Sequence, residues 1–120
     1  MEDNGVMTAN APERIDHLSA LQKNWDGYGA LPISHNVLNN LKWVLMISQN
    51  ADWEHWVIAP DSNATVGLQS VATGACISLG AYEYSYFARI DGVRYGESHV
   101  EFTPDGFLAL MRKFVREDLK

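Results

Sequence analysis

Residues 82–102 read YEYSYFARIDGVRYGESHVEF, and the pattern of this stretch decides the fold. Aromatic and β-branched residues alternate with polar ones on both sides of Asp91-Gly92, as in two half-buried strands, here 82–90 and 93–102. A tight hairpin loop needs positive φ values that Asp and Gly tolerate, so the two strands are expected to fold back on each other. Upstream, the same period marks strands near 54–59, 64–71 and 75–80. Consecutive strands joined by short loops imply an antiparallel meander of about five strands.

Helical spacing takes over outside this region. Ile15, Leu18 and Leu21 recur every third residue, which predicts a helix over 13–23. A second helix over 35–49 follows Pro32: Ser34 is a plausible N-cap, Ile33 and Leu38 have the positions of a hydrophobic staple, and Val37, Leu38, Leu41, Val44, Leu45 and Ile47 supply a wide apolar stripe. The closing helix has Thr103 as N-cap and Pro104 at its first position, then Phe107, Met111, Phe114 and Val115 at helical spacing, with Phe102 and Phe107 as a second staple. Arg112, Lys113, Arg116 and Lys120 crowd its last turns, where cations complement the free carbonyls. The expected architecture is α+β: a five-stranded antiparallel meander with helices packed on one face, a two-layer sandwich.

A chain of 120 residues, 47% apolar and 20% charged, has the size and composition of one globular domain. That domain is expected over 13–120, with 1–12 as a loose polar arm that lacks the basic start and apolar stretch of a signal peptide. No apolar run approaches the ~20 residues a membrane-spanning helix needs. The single cysteine, Cys76, excludes an intrachain disulfide and fits a reducing, cytoplasmic setting. Nine basic residues against fifteen acidic ones give a net charge of −6, which disfavours nucleic acid because phosphate binding is driven by Lys and Arg.

Two groups of residues carry candidate chemistry. Glu97, His99 and Glu101 alternate, so an unbroken strand places them on one sheet face as potential metal ligands. A two-residue Asp91-Gly92 loop sets Tyr86, Tyr84 and Tyr82 opposite them; a longer loop, or a bulge at Gly96, shifts the register by one and sets the tyrosines beside Val100 and Phe102. Either register is compatible with the residues, and the trio also reads simply as the wet face of a half-exposed sheet. Cys76 lacks a nucleophile signature and reads as a small buried apolar residue. Trp53 and Trp56 suit either an interaction surface or an anchor between sheet and helix. Phosphate-loop and zinc-finger patterns are absent, and no catalytic set or cofactor is implied.

The remaining signal is Asn24-Trp25-Asp26-Gly27-Tyr28-Gly29-Ala30, followed at once by Pro32-Ile33 and a helix. Together with Val66-Gly67-Leu68-Gln69 and the strand ending in Asp91-Gly92, it resembles a group of small uncharacterised bacterial and phage-associated proteins. The chain departs from that group's pattern at Ser70 and Val71. Physically, Trp25 and Tyr28 are expected to plug the gap between the first two helices, with Asp26 capping the turn through its own backbone. The candidate binding residues are therefore Trp25, Asp26, Tyr28, Tyr82, Tyr84 and Tyr86. Small size, acidity and the resemblance imply a non-catalytic protein-interaction module, such as an antitoxin, immunity-like factor or inhibitor from a mobile element. The alternative is a small metal-assisted hydrolase or ligand-binding enzyme on the Glu97, His99 and Glu101 face. A homodimer through a sheet edge or an aromatic patch is compatible with both.

Overall fold

The computed structural model describes residues 11–115. Strands β1 (Trp56–Pro60), β2 (Val66–Ser70), β3 (Cys76–Leu79), β4 (Glu83–Ile90) and β5 (Val93–Glu101) form one antiparallel sheet in chain order. Helices α1 (Ala11–Ser19), α2 (His35–Ile47) and α3 (Pro104–Lys113) pack on one side of it, and a short 3-10 helix, Asn50–Trp53, leads into β1. This is the expected open meander with helices on one face. The proposed arm over 1–10 lies outside the described residues, whereas Ala11 and Pro12 belong to α1.

The core follows from the two periods. Ile58, Leu68, Ile77, Tyr84 and Ala88 project from the sheet into one buried cluster with Ile15, Val37, Leu41, Val44, Phe107 and Met111. Trp53 and Trp56 are buried in it, so they anchor the sheet to the helices and are not surface residues. The Trp53 indole N–H donates to Ser48 Oγ at 2.8 Å. The expected caps are present: Ser34 Oγ accepts from the Asn36 N–H, Thr103 Oγ1 accepts from the Gly106 N–H, and the Phe102 and Phe107 ring centroids lie 5.8 Å apart.

Helix α1 differs from its expected span. It begins earlier because Pro12 sits in the first turn, where no intrahelical N–H is needed. It ends at Ser19 because the Ala20 and Leu21 N–H groups bond three residues back, tightening the last turn before the loop. Cys76 is also a correction: it lies exposed on the helix-free face of the sheet, because Ile77 and Leu79 take the inward positions of β3.

The β4–β5 hairpin realises both registers open to the sequence, one on each side of a bulge. Asp91 and Gly92 form the two-residue loop, with φ of 54° and 79°, and pairing runs from Ile90↔Val93 to Tyr86↔Glu97. Beyond it, Tyr84 pairs with Val100 and Glu83 with Glu101. Ser98 and His99 together oppose Ser85, not Gly96 as considered above, with His99 at φ 58° and its N–H donating to Ser85 Oγ. The extra residue keeps Val100 and Phe102 on the core side, where an unbroken strand would have turned them out to solvent.

Arg112 ties α3 to the 3-10 helix through a forked contact with Asp52, Nε to Oδ1 at 2.9 Å and Nη2 to Oδ2 at 3.0 Å. Asp52 also accepts the Gln49 N–H. The Arg112 hydrogen bond holds the Asp52 carboxyl below its usual value of 3.8, against a smaller opposing effect of burial. A carboxyl with a depressed folded-state pKa stabilises the fold above its unfolded value and loses that contribution as pH falls through the folded value. Asp52→Asn is therefore expected to cost about 1 kcal/mol near neutral pH. In urea titrations the gap to wild type should narrow below pH 3.8; a pH-independent gap would assign the loss to packing instead.

Candidate functional site

The loop between α1 and α2 is closed on itself by hydrogen bonds. Asn24 donates its N–H to the Ala30 carbonyl and accepts the Gly29 N–H on Oδ1, while Asp26 Oδ1 accepts the N–H groups of Tyr28 at 2.8 Å and Ala30 at 3.1 Å. Asn24, Gly27 and Gly29 all have positive φ, which an Asn and two glycines sustain at low cost. Trp25 is half-buried, its indole N–H donating to the Leu31 carbonyl at 2.7 Å. Asp26 thus caps the turn as expected, but Tyr28 plugs nothing: it stands 92% exposed at the tip. The reversal is held by backbone acceptors, which leaves the Tyr28 ring outside.

The three candidate tyrosines do not converge. Tyr84 is buried edge-on against Phe107, and burial pushes its hydroxyl pKa up. Tyr86 packs on Phe114 and donates to Glu97 Oε1 at 2.8 Å; burial, then that hydrogen bond, push its hydroxyl up to about 12. Tyr82 is 75% exposed and accepts from Asn36 Nδ2 at 3.1 Å.

The bulge likewise splits the acidic and imidazole trio, correcting the single-face placement. Glu97 shares the helix side with Tyr86, whereas His99 and Glu101 lie on the other face with Glu83. His99 Nδ1 is 2.5 Å from Glu83 Oε2, and this contact raises the imidazole pKa above its usual value. Among the described residues no group of three or more His, Cys, Asp or Glu side chains is placed to hold a metal ion.

A more continuous surface lies where α2 meets the end of the sheet. Trp43 is 54% and Met46 77% exposed, with Ile47 beside them on the outer side of α2. Trp43, Tyr82 and Phe102 line a groove of about 370 Å³ together with Asn36, Asn39 and Asn40, and Glu101 stands at its margin. Asn40 fixes one wall by donating to the Gly80 and Ala81 carbonyls. Of these residues, the sequence reading had singled out Tyr82 and Glu101 and missed Trp43 and Met46. A signal existed: Val37, Leu38, Leu41 and Val44 fill the inward stripe of α2, so Trp43 and Met46 are surplus to it; Ile47, expected in that stripe, is instead 40% exposed at the last turn.

No protein-family model, curated protein or solved structure matches this chain. Among the described residues no helix is long and apolar enough to cross a membrane.

The loop geometry separates support from display. Asp26→Ala leaves two N–H groups without their acceptor and is expected to cost about 1–2 kcal/mol in denaturant unfolding, whereas Tyr28→Ala should stay within ~0.5 kcal/mol of wild type. Equal losses for the two variants would overturn this division.

Proposed function

We propose that this chain is a non-catalytic protein-binding module whose contact surface is the outer side of α2 with the adjoining Tyr82 groove. The observation that carries the reading is the exposure of Trp43 and Met46 on a helix whose opposite side already completes the core. Tryptophan is enriched among residues that dominate binding energy, and a contiguous exposed apolar patch rimmed by polar side chains marks an interaction site. The rim here is amide-rich and acidic, with Asn36, Asn39 and Glu101, in a chain of net charge −6. These features favour a partner that offers an apolar anchor and basic groups around it. In cellular terms the reading is of an antitoxin-like, immunity-like or inhibitor protein.

Affinity capture of the full chain at native expression should recover a stoichiometric protein partner. Trp43→Ala should weaken that complex by about 2 kcal/mol, roughly thirtyfold, without lowering the melting temperature. Recovery of the chain alone, or a partner held equally well by Trp43→Ala, would defeat the reading.

A further inference from the structure

Among the described residues no helix covers the other face of the sheet, and its side chains are ordered in rows. From β1 to β4 one row runs Val57, Gln69, Cys76 and Phe87; the next runs Ala59, Gly67, Ser78 and Ser85. The first row is larger at every strand than the second. Phe87 is 51% exposed, and beside it Gly67, Ser78, Ser85 and Ser98 floor a groove of about 440 Å³.

The same face carries opposite charges at its two ends. Arg89 lies directly opposite Arg94 near the hairpin tip, and Glu83 lies opposite Glu101 at the far end. Like charges placed opposite each other across two strands destabilise a sheet. His99 relieves the acidic pair at Glu83, but neither arginine has a carboxylate partner among the described residues. The two pairs are six residues apart along β4, or about 20 Å.

We propose that this open face is a self-association surface, on which a second copy of the chain packs face to face about a two-fold axis running across the strands. That operation stacks each strand on its own counterpart with direction reversed. It sets Arg89 over Glu83 and Arg94 over Glu101 of the second copy, and the reciprocal pairs follow from the symmetry. The larger row falls on the smaller one throughout: Phe87 enters the groove over Ser85, Gln69 meets the Asp61 carboxylate that lies over Gly67, Cys76 meets Ser78 and Val57 meets Ala59. Two aligned sheets packed in this way build a sandwich core about 10 Å thick. The three short strands present two outward side chains each, so the face projects to roughly 400 Å², about half of the ~800 Å² per partner buried in a standard complex, which suits a dimer that forms at high micromolar concentration. A two-fold parallel to the strands would instead oppose like charges, so the charge pattern selects one orientation. Trp43 stands outside this surface, which shares only Glu101 with the rim of the Tyr82 groove, and association of the pure chain does not depend on the partner reading above.

Sedimentation equilibrium of the full chain tests it. Wild type should be a dimer at high micromolar concentration. The double variants Arg89→Glu with Arg94→Glu, and Glu83→Lys with Glu101→Lys, should each dissociate at least about tenfold more readily. Their equimolar mixture should restore a heterodimer, since one then presents only acidic and the other only basic ends. Phe87→Asp should be monomeric with unchanged circular dichroism, which separates loss of the interface from loss of the fold. A monomeric wild type, a dimer that survives in both double variants, or a mixture that stays monomeric would each overturn the proposal.

Discussion

A single extra residue in β5 governs the surface chemistry of this molecule. Side chains alternate along a strand with period two, so one inserted residue reverses the face of everything beyond it. The bulge at Ser98 and His99 absorbs that reversal. On its near side Tyr86 and Glu97 share the helix face; on its far side Tyr84 and Val100 do so, while His99 and Glu101 turn to the open face. The cost is a positive φ at a non-glycine residue, partly offset by the hydrogen bond from the His99 N–H to Ser85 Oγ. Without the bulge, Val100 would leave the core and His99 would take its place opposite Tyr84.

Because the bulge keeps one face apolar, three helices suffice to close the core on that side alone. Among the described residues the opposite face stays open, with a row of small side chains beside a row of larger ones and with a basic and an acidic end. Helix α2 shows the same economy, with Val37, Leu41 and Val44 inward and Trp43 and Met46 outward. Both surplus surfaces exist because the core is complete without them, which is the physical ground for reading them as contact surfaces.

The architecture was legible because its determinants are local. Asp91-Gly92 announces the hairpin, Ser34 and Thr103 announce two helix starts, and the change of period after Asn50 separates helices from strands. The candidate site was less legible because its determinants are pairwise. Whether Glu97, His99 and Glu101 share a face depends on a bulge whose position is set by packing of Val100 and Phe102 against α3, and no neighbour in sequence reveals that. Tyr28 failed as a plug for a related reason: Asp26 and Asn24 already satisfy the loop backbone, so the turn closes without the ring. Cys76 was misplaced because alternation fixes which residues share a face, not which of the two faces the helices cover.

The most direct measurement is a set of cross-strand nuclear Overhauser contacts along the β4–β5 hairpin. Tyr84 ring protons should contact the Val100 methyls, and Tyr86 should contact Glu97. The His99 ring should contact the Glu83 side chain on the other face. Contacts between the Tyr84 ring and the His99 ring, with the Val100 methyls free of core neighbours, would show an unbroken register and contradict the division into a closed face and an open one.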